Sequence, residues 1–145
     1  MIKSIRFVID ASVGIKLFVT EEFSDKVQSL FAHLVDEIPA ELHVPDLFYI
    51  ECANILLKYA RRFKRPIEDS LADLASLNGL ALQSTPTAEL MEEALTLANE
   101  NKLTAYDACY AVLARRLAIP LITADDVLLK TIEWAMWIGD LDLEK

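Results

Sequence analysis

Short apolar runs alternate with longer stretches of helical spacing along the whole chain, and this alternation restricts the fold more than any single motif. Ile5 to Asp10 reads as a buried strand, and Ser12 to about Val19 as a helix or helical turn directly after it. Ser24 stands where it would cap a helix in which Val27, Leu30, Phe31, Leu34 and Val35 recur at helical spacing. The short segment Leu42-His43-Val44 leads to Pro45, and Asp46 is the expected N-cap of a long helix reaching about Phe63 and broken at Pro66. Further helices are expected from Pro66 to Leu77, from Thr87 through Leu97-Ala98, and from Ala105 to about Leu117 behind a Thr104 cap. Leu80-Ala81-Leu82, Leu121-Ile122-Thr123 and Ala135-Met136-Trp137-Ile138 are the later strand candidates, with a helical turn around Val127 to Ile132. Strands separated by helices predict an α/β fold with a mostly parallel central sheet and helices on both faces.

With 145 residues, 54% of them hydrophobic and only 3 Gly and 5 Pro, the chain can bury a substantial core and shows no linker, so one domain over residues 1–145 is expected. No apolar run approaches the roughly 18 residues of a membrane helix, and cytoplasmic residence without membrane association is the expectation. Cys52 and Cys109 lie within apolar helical pattern and read as small core residues rather than as a zinc site or disulfide. His33 and His43 are isolated from each other in pattern, which argues for structural or surface roles. Tyr106 and Tyr110 read as packing residues rather than base-stacking ones, and Trp134 and Trp137 as core or dimer surface.

Four carboxylates stand alone inside stretches that otherwise read as protein interior. Asp10 ends Phe7-Val8-Ile9, Glu51 interrupts Leu47-Phe48-Tyr49-Ile50 and Cys52-Ala53, Asp107 divides Ala105-Tyr106 from Ala108-Cys109-Tyr110-Ala111, and Asp125 follows Leu121-Ile122-Thr123-Ala124. An ionised carboxylate withdrawn from water is costly unless it is paired, hydrogen-bonded or bound to a cation. Few basic residues lie near these four in sequence, and converging acids would form an all-oxygen site suited to Mg²⁺ or Mn²⁺. Asp10 and Asp125 are expected at carboxyl ends of strands, where parallel sheets gather functional groups, with Glu51 and Asp107 approaching from helices.

At these positions the chain resembles the PIN-domain ribonucleases and, within them, the VapC-type toxins of toxin–antitoxin pairs. The resemblance runs through Phe7-Val8-Ile9-Asp10-Ala11-Ser12, Val44-Pro45, Glu51-Cys52-Ala53-Asn54-Ile55-Leu56, Tyr106-Asp107-Ala108-Cys109-Tyr110-Ala111-Val112-Leu113-Ala114 and Pro120-Leu121-Ile122-Thr123-Ala124-Asp125. It implies a three-layer α/β/α sandwich and endoribonuclease activity with Mg²⁺ or Mn²⁺, leaving a 5′-phosphate and a 3′-hydroxyl. Carried over by position, Asp10, Glu51, Asp107 and Asp125 would form the acidic catalytic and metal site, with Ser12 and Thr123 supporting it through their hydroxyls. Thr123 also reads as a plain strand residue. The resemblance further implies an RNA substrate, a homodimer and a cognate antitoxin protein.

Other readings compete at single residues. Asp10 or Asp125 alone would serve as a helix cap, and Asp126 is the better candidate for an ordinary cap or a surface acid beside Asp125. Asn54, one turn after Glu51, reads either as orienting that acid or as a surface residue. A net charge of −9 argues against generic attraction to phosphate, yet Lys58, Arg61, Arg62, Lys64 and Arg65 crowd into one stretch, with Arg61 and Arg62 the candidate RNA contacts or simply a solvated helix end. Among whole-protein alternatives, a receiver-like Mg²⁺-binding domain would need an acid pair at the first strand, and a haloacid-dehalogenase-type phosphatase a second acid where Ser12 stands. A catalytically silent interaction module of the same fold is the remaining alternative.

Overall fold

The computed structural model describes residues 4–143. Five strands, β1 (Arg6–Ile9), β2 (Glu41–Pro45), β3 (Gln83–Thr85), β4 (Leu121–Thr123) and β5 (Ala135–Trp137), form one sheet in the order β3-β2-β1-β4-β5. Every pairing is parallel, with Val8 opposite His43 on one side and Leu121 on the other, and Ile122 opposite Met136. Around the sheet lie α1 (Ala11–Gly14), α2 (Ser24–Ala32), α3 (Leu47–Phe63), α4 (Ile67–Asn78), α5 (Met91–Asn101), α6 (Ala105–Leu117) and α7 (Asp126–Thr131). Right-handed crossovers that step outward through β1, β2 and β3 and then return through β4 and β5 send helices to both faces, giving the three-layer architecture. The order reverses between β1 and β4, and this reversal opens a crevice at their carboxyl ends. It also excludes the receiver-like alternative, whose strand order is 2-1-3-4-5.

Local chemistry explains most element boundaries. The Thr104 hydroxyl accepts a hydrogen bond from the Asp107 backbone N–H at 3.1 Å and starts α6. From Ala108 to Ala114 that helix is buried at every position, which is how an all-round apolar helix is accommodated. Trp134 packs against it and donates its indole N–H to the Ala111 carbonyl at 2.8 Å. On the other helical layer α1 meets α3 closely: a Cβ on Gly14 would stand 2.6 Å from Phe48 Cζ, so only glycine permits this approach.

The structure corrects three expectations and assigns a segment left without a state. The third strand is Gln83–Thr85 and not Leu80–Leu82, because the two leucines pack against the core from the turn after α4, whereas an exposed edge strand has no need to be apolar. The segment around Leu42-His43-Val44 is a buried strand of the sheet whose pattern Glu41 and His43 disguise. Ser24 is the first residue of α2 and not its cap; its hydroxyl accepts from Glu21 N–H and donates to the Val19 carbonyl, tying the preceding turn. Asp46 precedes α3, but its carboxylate caps nothing in that helix and instead accepts hydrogen bonds from the Thr87 hydroxyl and N–H, joining the start of α3 to the turn after β3.

Candidate active site

Asp10 leaves the end of β1 in extended conformation and is only 4% exposed. Its Oδ1 accepts from the Ser12 hydroxyl at 2.6 Å and from Val13 N–H at 3.1 Å, while Oδ2 accepts from the Thr123 hydroxyl at 2.5 Å. The same two hydroxyls also accept in turn, Ser12 Oγ from Ala124 N–H at 3.1 Å and Thr123 Oγ1 from Asp125 N–H at 2.9 Å. One buried carboxylate thus bridges the ends of β1 and β4 across the point where strand order reverses. Burial pushes Asp10 up to about 6; its three hydrogen bonds oppose that rise and the negative charge of Asp107 adds to it.

Glu51 approaches from the first half of α3 and Asp107 from the first turn of α6, both half-buried. Glu51 Oε1 accepts the Tyr110 hydroxyl at 2.5 Å. Burial raises Glu51 above the ordinary carboxylate range, the Tyr110 hydrogen bond counteracts this, and Asp107 raises it further. Burial likewise raises Asp107, followed by the charge of Asp125, against a hydrogen bond from Thr104. The Asp107 charge thus adds to the effect of burial on Asp10 and Glu51, as the Asp125 charge does on Asp107. Among the described residues, none of the four forms an ion pair with Lys, Arg or His.

A hard divalent cation suits an all-oxygen donor set with surplus negative charge and depressed acidity. Among the described residues, no three His, Cys, Asp or Glu side chains are grouped closely enough to enclose an ion. Any cation held here would take one or two of these carboxylates and keep several waters, as Mg²⁺ does, rather than sit in a closed protein cage.

Capping and membership of the acid centre coincide. Asp10 caps α1, and Asp125 caps α7 by accepting from Val127 N–H at 2.7 Å and Leu128 N–H at 3.2 Å. Asp126 is the exposed first residue of α7, so of its two expected readings the surface acid holds and the cap falls to Asp125. The two tyrosines also separate: Tyr110 is 1% exposed and holds Glu51, whereas Tyr106 is 64% exposed and packs poorly. Burial keeps the Tyr110 hydroxyl protonated well above its ordinary range, so it is the donor. Its place three residues after Asp107, on the same side of the helix, was the available signal for this role. Asn54 is exposed beside Glu51. In the basic stretch Lys58, Arg61 and Arg62 are exposed, Lys64 ends α3 in left-handed conformation, and Arg65 pairs with Asp73 at 2.8 Å, bracing α3 against α4.

The profile of the PIN domain family matches residues 7–133. Ribonuclease VapC3 of Pyrobaculum aerophilum is 34% identical over 122 residues, covering 83% of this chain and 89% of that protein. Among solved structures, PAE2754 from Pyrobaculum aerophilum superposes with a TM-score of 0.68 at 24% identity, covering 94% of this chain and 93% of that one. A toxin–antitoxin complex from Klebsiella pneumoniae contains a chain with a TM-score of 0.58 at 16% identity, covering 92% of this chain and 98% of its own. At such identities the two structures speak for the fold, while the family profile and the VapC3 relative place the sequence: the chain belongs to the PIN-domain family, on its VapC-type branch.

Proposed function

We propose that this protein is a metal-dependent endoribonuclease that hydrolyses RNA phosphodiester bonds. The observation that carries the reading is a buried Asp10 bridging the ends of β1 and β4 at the carboxyl edge of the sheet, with none of the four acids holding a basic partner among the described residues. The relationship to a ribonuclease supports the reaction class. Asp10 and Asp107 would hold Mg²⁺ or Mn²⁺, with Asp125 beside them and Ser12 and Thr123 fixing the Asp10 carboxylate. When bound, the cation would supply Lewis-acid polarisation of the phosphoryl oxygen and make a nearby water more acidic. Glu51, held at one oxygen by Tyr110, would accept the proton of the attacking water, a role suited to a carboxylate whose pKa lies above the ordinary range. Hydrolysis would leave a 5′-phosphate and a 3′-hydroxyl.

The likeness to a chain of a toxin–antitoxin complex supports a toxin role, restrained by a cognate antitoxin. Exposed Phe63, Ile67 and Leu71 along α3 and α4 offer apolar surface for that partner or for a second copy of the chain in a homodimer. The test is single-turnover cleavage of a mixed RNA pool by purified protein. Cleavage abolished by EDTA and restored by Mn²⁺ is expected; cleavage indifferent to EDTA would remove the metal, and no cleavage of any RNA would return the chain to the silent interaction module.

A further inference from the structure

The two acids that enter the centre from helices are each preceded by a large apolar residue left in water. Ile50, before Glu51, is 72% exposed, and Tyr106, before Asp107, shows the exposure given above. Both border a cleft of about 660 Å³, whose other lining residues are Glu51, Ala53, Asn54 and Leu57. Its walls are mainly apolar, with the Asn54 amide and the Glu51 carboxylate at the polar positions.

On the nuclease reading above, we propose that this cleft is a nucleobase subsite in which Tyr106 stacks the base next to the cleaved phosphate, with Ile50 and Leu57 as its apolar wall. Glu51 lines the cleft itself, so an occupant lies against the reacting groups. A chain of net charge −9 cannot rely on phosphate attraction for affinity, whereas stacking on an aromatic ring is indifferent to that charge. An aromatic face and an apolar floor suit the flat base of an unpaired strand, and the amide of Asn54 can both donate to and accept from a base edge. Beyond the cleft the same face of α3 continues: Ile50, Asn54, Leu57 and Arg61 follow one another at spacings of four, three and four residues, so one helix face runs from the acid centre to an exposed arginine. A strand whose base enters the cleft can therefore lay a neighbouring phosphate near Arg61.

The experiment is a double-substitution cycle between protein and substrate. An oligoribonucleotide spanning a site cleaved by the wild type is prepared intact and with an abasic nucleotide beside the scissile bond; kcat/KM with Mn²⁺ and binding in EDTA are then measured for wild type, Tyr106→Ala and Tyr106→Phe. Tyr106→Ala is expected to lower binding and kcat/KM for intact RNA by about 5- to 100-fold, the range of one lost stacking contact. It should cost little more on the abasic strand, and Tyr106→Phe should stay near wild type because it keeps the ring. Equal losses on intact and abasic RNA, or a Tyr106→Phe loss matching that of Tyr106→Ala, would overturn the subsite. So would wild-type behaviour of Tyr106→Ala, which would point to a protein partner on this cleft. If wild type cleaves no RNA, the nuclease reading and the subsite fall together; if wild type cleaves and only the cycle fails, the nuclease reading stands.

Discussion

β1 and β4 end alike in sequence and differently in the fold. Each apolar strand stops at an aspartate that accepts backbone hydrogen bonds from the helix behind it, and the two strands are hydrogen-bonded neighbours. Asp10, however, is enclosed by Ser12, Val13 and Thr123 and is raised to about 6, whereas Asp125 is half-buried and serves two N–H groups of α7. The helices behind them differ in the same sense: α1 is pressed onto Phe48 through Gly14, while α7 leaves Val127 exposed. Similar local chemistry can thus produce a desolvated carboxylate with a raised pKa and a more solvated one whose main local duty is capping. What separates them is how deeply each carboxylate is buried and which groups enclose it.

The sharpest way to break this comparison is to remove the acid that connects its two sides. Asp107→Asn is nearly isosteric and leaves the Thr104 cap, which uses the backbone N–H, in place. RNA cleavage should fall by roughly 100-fold or more while circular dichroism and melting stay close to wild type. A folded variant that cleaves at the wild-type rate would mean that Asp107 is not needed for catalysis.

Asp10 and Asp125 should respond in opposite directions when metal is absent. Asp10 has a folded pKa above its unfolded value, so the folded state binds the extra proton and stability falls as pH rises from about 4 to about 6. Asp10→Asn removes that penalty. In EDTA it should stabilise the protein by on the order of 2–3 kcal/mol above pH 7, with the gain vanishing near pH 4, as read by denaturant unfolding across pH. Mn²⁺ should raise the melting temperature of wild type and do so less for Asp10→Asn. A flat pH difference between the two proteins would show that burial does not govern Asp10.

Gly14→Ala probes the packing that encloses Asp10. With its new Cβ against the Phe48 ring, the variant should lose about 1–3 kcal/mol of stability by overpacking. Asp125→Ala removes the cap of α7 and should cost about 1 kcal/mol of stability in metal-free protein, read by the same denaturant unfolding. The smallest effect is expected far from both strand ends. Replacing Arg61 and Arg62 by Gln should weaken RNA binding severalfold at low salt and reduce the slope of log K against log salt by about 1.4, two phosphate contacts to a single strand, while Mn²⁺ affinity is unchanged. An unaltered slope would assign these arginines to the helix surface alone.

Periodicity and apolar runs were sufficient to read the α/β class, the central strands Arg6–Ile9 and Leu121–Thr123, and helices α3 and α6 nearly to their ends, because buried segments must be apolar at the spacing of their own secondary structure. They were insufficient for β3, whose exposed edge position removes that requirement, and for β2, where Glu41 and His43 break the run. The four acids were conspicuous because a charge inside an apolar stretch is costly wherever the chain folds. Their individual characters were not legible. That Tyr110 holds Glu51 across 59 residues, that Thr123 reaches Asp10 across 113, and that Tyr106 stays in water while Tyr110 is buried follow from how the helices dock on the sheet. Side-chain identity sets which hydrogen bonds and charges are available; desolvation and the distance between groups set their strength, and both belong to the packed tertiary structure.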